Sequence, residues 1–316
     1  MNIAVSDNRP RGIAKLKLFF ALSRTPHGLL DMTTPGLAAL LWLGQFPSFG
    51  IIVIGLLTAF AGYTAVYALN DLVDCRTDQE KLRSGGFQDS RNYLDAAIIR
   101  HPLAQGFLSI KEGFLWAAAW SMVALVGAFC LNPVCVLIFL AGCTLEIVYC
   151  LMWKVTPFRN LVSGLVKNCG PVAGVLAVDR DPSLFFLALL FLWLFFWEIG
   201  GQNIPNDWAE IEEDQKLQAR TMLVRYGAAK ASAIVLGSLL FALGLNLWLL
   251  AVAIGRGALP YMAASFVIGF SLLILPAYRL YMTKQRDDAL TLFRKASYYP
   301  LACLIVVGIS ILIRTP

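Results

Sequence analysis

Apolar runs of roughly 20 residues, the length an α-helix needs to cross about 30 Å of hydrocarbon, follow one another along most of this chain and leave little room for another architecture. Nine such runs can be drawn, near 27–45, 49–69, 112–131, 133–152, 161–178, 183–203, 229–253, 259–280 and 297–313. With 58% hydrophobic residues, 15% charged residues and a mean hydropathy of +0.68 over 316 residues, a soluble globule could not hide its apolar side chains. The expected fold class is all-α, a polytopic membrane protein with nine transmembrane helices.

The polar tracts between these runs alternate in charge. Arg9, Arg11, Lys15, Lys17 and Arg24, the tract from Arg76 to Lys111, Lys154 with Arg159, the tract from Lys216 to Lys230, and the tract from Arg279 to Lys295 hold nearly all the basic residues. The intervening connections carry only Arg180, Arg256 and the terminal Arg314. Short basic loops stay inside, so the N-terminus and both long charged loops are expected in the cytoplasm and the C-terminus outside. The expected location is the bacterial cytoplasmic membrane. Residues 1–26 lack the apolar stretch and small-residue cleavage site of a signal peptide and read as a basic, partly amphipathic segment lying on the cytoplasmic face. Residues 27–316 form the transmembrane domain.

Several chemistries are excluded early. The net charge of +6 fits attraction to anionic lipid, and no interleaving of basic and aromatic residues argues for nucleic acid. Seven cysteines without a C-x-x-C pair read as small apolar packing residues. Two histidines, His27 and His101, are too few for a histidine-based metal site.

The informative feature is a repeated acidic pattern. The second apolar run ends in "NDLVDCRTDQ" and the sixth in "NDWAEIEEDQ", so Asn70, Asp71, Asp74 and Asp78 match Asn206, Asp207, Glu210 and Asp214 in type and spacing. On a helix, acids at offsets of zero, three and seven share one face. A single such stripe suits a solvated helix end as well as a binding site. Two stripes of like spacing at one membrane face repel unless a cation lies between them, and Mg²⁺ binds through one or two carboxylates while leaving positions for phosphate oxygens and water. Carboxylates, Mg²⁺, diphosphate and an apolar chamber suit ionisation of a prenyl diphosphate, whose allylic cation needs a dry site.

These paired motifs, the nine spans and the shared face of both loops resemble the UbiA superfamily of intramembrane aromatic prenyltransferases. "RHPLAQG" at 100–106, "YCLMWK" at 149–154 and "ARTMLVRYG" at 219–227 are similar to further segments of that family. The resemblance implies helices around a central cavity, Mg²⁺ as cofactor, and transfer of a prenyl or polyprenyl group from an isoprenyl diphosphate to a small acceptor, most often an aromatic quinone precursor such as 4-hydroxybenzoate. Glycerol phosphate, phosphoribose, haem and chlorophyll-type acceptors are the alternatives within the family. Carried over by position, Asp71, Asp74 and Asp78 would bind Mg²⁺ with Asn70 assisting. Asp207 and Asp214 would do so from the second motif, with Asn206 alongside and Glu210 replacing the usual Asp. Lys154 would contact diphosphate and Tyr149 would line the cavity near the reacting carbon.

Other positions stay open. Either Arg100 or His101 occupies the place of the family's arginine before proline. Lys154 can also be an interfacial lysine. Lys167, inside an apolar run, is a cavity-facing candidate for the diphosphate or an interfacial residue. The glycines in "RSGGFQDSRNYLD" suit a lid over the site or a plain loop. "FFLALLFLWLFFWEIG" reads as lipid-facing aromatic packing. A divalent-cation transporter is the competing class; it would need acids deep in the spans, whereas the motif acids sit at one face.

Overall fold

The structure is a computed structural model that describes residues 12–84 and 99–314. The chain starts with three short helices, α1 (Ile13–Leu22), α2 (Thr25–Asp31) and α3 (Thr33–Leu43). α2 and α3 occupy the first expected span and are nearly continuous. They part at Met32 because Pro35 has no N–H to offer the Asp31 carbonyl; the Thr34 hydroxyl donates to that carbonyl instead, at 2.9 Å. Eight further segments are long and apolar enough to cross a membrane. They are α4 (Phe49–Arg83), α5 (Ile110–Leu131), α6 (Pro133–Leu151), α7 (Arg159–Val178), the run of α8 (Leu184–Trp197) into α9 (Ile204–Ala209), α11 (Met222–Ile254), the run of α12 (Leu259–Gly269) into α13 (Leu275–Thr283), and α14 (Arg286–Arg314). The short α10 (Ile211–Lys216) lies between α9 and α11. Among the described residues there is no strand, and the chain is an all-α, polytopic integral membrane protein.

α1 is more than a surface segment. Leu18 and Leu22 bury against Ala68, Cys75, Leu103 and Leu108, the Phe19 ring stacks on Trp116 with centroids 4.8 Å apart, and Lys15 pairs with Glu112 at 2.5 Å. Ile13 and Leu16 on its other side stay exposed. The suggested lid at 83–95 falls almost wholly outside the described residues.

The expectation for "FFLALLFLWLFFWEIG" is corrected. Phe186, Leu190, Trp193, Leu194 and Trp197 are buried, and they form the main core with Leu37, Leu41, Val235, Leu239, Leu273 and Tyr299 from α3, α11, the segment before α13, and α14. A helix apolar all round is as well suited to the middle of a bundle as to lipid, and here only its start, at Leu184 and Phe185, is strongly exposed.

Two π-turns shape the bundle. At Glu198–Asn203 the ladder slips by one residue, with Ile204 N–H donating to the Ile199 carbonyl; Pro205 follows directly and has no N–H for Gly201. Gly200 and Gly201 let α11 and α14 press in, since an added Cβ would lie 2.9 Å from Leu239 and 2.9 Å from Ala296 respectively. Phe270–Ile274 repeats the device ahead of Pro276. α4 runs unbroken for 35 residues, about 52 Å at 1.5 Å per residue. It is therefore longer than the hydrocarbon is thick, and the first acidic motif lies in its C-terminal part.

Candidate active site

On that part of α4 the first motif is helical throughout, and its acids do share a face. Asp71 and Asp78 are buried and Asp74 half-buried, while Arg76 and Glu80 are exposed. His101 enters from the following loop and puts Nδ1 2.8 Å from Asp71 Oδ1 and 2.7 Å from Asp78 Oδ2. Burial disfavours the charged imidazole, but Asp78 and Asp71 outweigh it and hold the His101 pKa above the ordinary histidine value. Asp71 Oδ2 is buried without a hydrogen-bond partner. Asn70 donates to Glu146 Oε1 at 2.6 Å and accepts from Arg24 at 3.3 Å.

The second motif departs from a single straight stripe. Asn206 and Asp207 sit on α9, the helix breaks at Glu210, and Asp214 lies on α10. Asp207 and Asp214 are still buried. Each acid of this motif meets a cation or a donor. Arg159, in the first turn of α7, reaches Asp207 Oδ1 at 2.5 Å; Lys81 reaches Glu210 at 2.6 Å and Asp214 at 3.9 Å; Arg100 reaches Glu210 at 2.8 Å. Trp153 Nε1 donates to Asp214 at 3.2 Å. Burial opposes ionisation of Glu210, yet Lys81 and Arg100 hold its pKa well below the usual carboxylate range. For Asp214 burial wins over Lys81, and with Asp207 and Glu210 nearby its pKa is pushed up to about 7.

The two motifs thus meet at one end of the bundle, Lys81 and Arg100 tying the α4 side to Glu210. They differ in compensation. In the first, Asp71 and Asp78 share one histidine, whereas the second has three carboxylates facing Lys81, Arg100 and Arg159. The first is the better prospect for a hard divalent cation, since it combines oxygen donors with a buried, unpartnered Asp71 Oδ2. Of the open pair, Arg100 stands with the cations of the second motif and His101 with the acids of the first.

A cavity of about 670 Å³ opens beside the motifs. Along α4 its wall extends from Ile51 to Asn70, about 28 Å at the helical rise. Tyr149 lines it as expected; its hydroxyl accepts from Asn203 at 2.9 Å and the Arg159 guanidinium lies 4.9 Å from its ring centre. Lys154 is not gathered in. It sits on a turn, half exposed, paired with Glu80 at 2.8 Å.

Lys167 does face the cavity, but within a polar group that sequence reading did not assemble. Its Nζ lies 2.7 Å from Asp31 Oδ2 and 3.8 Å from Glu198 Oε2; Tyr67 also donates to Asp31, and Ser163 donates to Glu198 at 2.5 Å. Asp31, Glu146 and Glu198 belong to the apolar helices, so acids are not confined to one face and that argument against a transporter fails. The sequence carries the signal, because an ionisable residue inside a span points to function by default, and it covers Asp31, Glu146 and Glu198 as much as Lys167. Lys81 and Arg159 were missed as well.

A sequence model of the UbiA prenyltransferase family matches residues 32–299. The chain is 25% identical over 283 residues to a 4-hydroxybenzoate octaprenyltransferase of Aromatoleum aromaticum, covering 87% of each chain. It is 25% identical over 258 residues to a digeranylgeranylglyceryl phosphate synthase of Methanoregula boonei, covering 77% of each. Its fold is similar to a UbiA homolog from Archaeoglobus fulgidus bound to DMAPP and Mg²⁺ (TM-score 0.66, 18% identity, 92% of this chain and 99% of that one). It is also similar to the apo structure of a UbiA homolog from Aeropyrum pernix K1 (TM-score 0.70, 18% identity, 92% and 98%).

Proposed function

Because the chain belongs to the UbiA prenyltransferase family, we propose that it transfers a prenyl or polyprenyl group from an isoprenyl diphosphate to a small aromatic acceptor of the 4-hydroxybenzoate kind, with Mg²⁺ as cofactor. The observation that carries this reading is the meeting of two acidic motifs, far apart in sequence, at the mouth of a long and mainly apolar cavity. The relatives named as 4-hydroxybenzoate octaprenyltransferases support the acceptor.

In this reading Asp71, Asp74 and Asp78 hold the metal with Asn70 assisting, and Asp207 and Asp214 hold it from the second motif. The chemistry supplied by bound Mg²⁺ is neutralisation of the departing diphosphate. Arg100, Lys81 and Arg159, which balance the second motif, would meet diphosphate oxygens. The allylic carbon–oxygen bond breaks with its electron pair going to the diphosphate. A ring carbon of the acceptor then bonds to the allylic cation and loses its proton. Tyr149 and the apolar wall keep water from the cation, and the prenyl tail follows the cavity along α4. Asp31, Lys167 and Glu198 supply polar contacts deeper in the same space. The membrane is the bacterial cytoplasmic membrane, with both motifs on the cytoplasmic side.

The test is to incubate membranes containing the protein with radiolabelled prenyl diphosphates, Mg²⁺, and 4-hydroxybenzoate or a glycerol-phosphate acceptor, and to identify the lipid-soluble product by mass spectrometry. A prenylated hydroxybenzoate is expected. Product from the glycerol-phosphate acceptor alone would replace the aromatic reading.

A further inference from the structure

We propose that His101 is a metal ligand, completing with Asp71 and Asp78 a nitrogen–oxygen–oxygen site that prefers Mn²⁺ or Co²⁺ to Mg²⁺. The inference rests on the reading that the first acidic motif holds a divalent cation, and it changes which cation that motif takes best.

Asp71 and Asp78 are seven residues apart on α4, two turns or about 10.5 Å along the axis, so their side chains need a third group to close a site between them. His101 is that group. It comes from a different segment, held at a φ of +50° ahead of Pro102, a left-handed conformation in which a non-glycine residue is strained. One donor atom from each of Asp71, Asp78 and His101 lies within 4.8 Å of the others, and all three residues are buried. His101 Nδ1 is 2.8 Å from Asp71 Oδ1 and 2.7 Å from Asp78 Oδ2. A single N–H cannot serve both acids. Asp78 Oδ2 accordingly receives no well-aligned hydrogen bond despite the short contact, and Asp71 Oδ2, in a residue only 2% exposed, has no partner at all.

Three donor atoms at such distances share a single hydrogen bond, from His101 Nδ1 to Asp71, and a metal ion bound there takes the place of the Nδ1 proton, which leaves to solvent. Around an octahedral ion with bonds of about 2.1 Å, neighbouring donors stand about 3 Å apart and opposite ones about 4.2 Å. The two short contacts need open by only a few tenths of an ångström. Mg²⁺ is served by oxygen donors, whereas imidazole nitrogen favours the transition divalents. Exchanging an oxygen or water ligand for His101 Nδ1 therefore moves selectivity toward them.

The chain has just two histidines, which makes a selective label practical. Full-length protein carrying ¹⁵N-histidine is purified in detergent, loaded with Mn²⁺ and examined by pulsed EPR for coupling to histidine nitrogen, and Mg²⁺ is titrated against the bound Mn²⁺. Wild type is expected to show the coupling and to prefer Mn²⁺ by at least about tenfold. His101→Gln is expected to bind Mn²⁺ without the coupling and with most of that preference gone, and His27→Gln is expected to keep both. Mn²⁺ bound to wild type without histidine coupling would overturn the proposal while leaving the acidic motif as a metal site, with His101 a counter-charge only. Binding of neither ion, even with a non-hydrolysable prenyl diphosphate present, would overturn this proposal and the metal reading beneath it.

Discussion

Replacing Lys167 by Met keeps the length of the side chain and removes its charge, which isolates what that charge does inside the bundle. The ammonium lies 2.7 Å from Asp31 and 3.8 Å from Glu198, and the three side chains are 12%, 5% and 7% exposed. Removing one partner from a buried ion pair costs about 3–5 kcal/mol, because the remaining charge is left uncompensated in a poor solvent. Here two acids are left, with the Tyr67 and Ser163 hydroxyls, and His27 at 3.9 Å from Asp31, to serve them. With an unfolding entropy of roughly 2.1 cal/mol/K per residue, that loss lowers the melting temperature by roughly 4–8 °C. The same substitution at Lys154 tests the role of burial. That pair with Glu80 is 47% and 49% exposed, and exposed pairs contribute about 0–1 kcal/mol. Thermal unfolding of the purified proteins in one detergent measures both, and Asp31→Asn added to Lys167→Met should recover much of the loss. Equal melting temperatures for wild type and Lys167→Met would refute the reasoning, as would a double variant no better than the single one.

Lys154→Met should also leave turnover per folded molecule within about twofold of wild type, since the side chain points to Glu80 and away from the cavity; a sharp loss with normal folding would return Lys154 to the diphosphate. Asp214, with its pKa pushed up to about 7 by burial, gives a pH dependence to the metal-free protein. The unfolded chain ionises Asp214 near pH 4 while the folded one holds its proton, so stability falls from about pH 4 to about 7 and levels above it. Melting curves in a chelator should show that decline in wild type and a shallower one in Asp214→Asn; identical curves would count against it. For orientation, accessibility reporters at Gln218 and Ser183 should read cytoplasm and exterior respectively, and the reverse would invert the membrane assignment.

Much of this architecture is legible in the sequence, because span length and a repeated motif are local properties. Asn70 to Asp78 could be placed on one helical face from spacing alone. The break at Glu210 could not, since it depends on the preceding π-turn and on Lys81 and Arg100, which arrive from other parts of the chain. Lys154 and Arg159 share one short basic tract and cannot be told apart by composition; the start of α7 at Arg159 turns one inward and the turn at Lys154 leaves the other outside. Asp31 and Lys167 lie 136 residues apart, so each looks like an isolated charge until the helices pack. α8 shows the same limit for apolar residues, because lipid and a helical core demand the same side chains of a helix surrounded on every side.

The central claim is that both acidic motifs act on one metal-bound diphosphate, and binding of a non-hydrolysable prenyl diphosphate to purified protein, with and without Mg²⁺, tests it most directly alongside turnover. Wild type should bind only when the metal is present. Asp71→Ala and Asp207→Ala, one from each motif, should each fold and yet lose that metal-dependent binding together with at least about a hundredfold in rate, on the order of 3 kcal/mol in the barrier. Tight binding without metal, or near-normal turnover in either folded variant, would contradict the account.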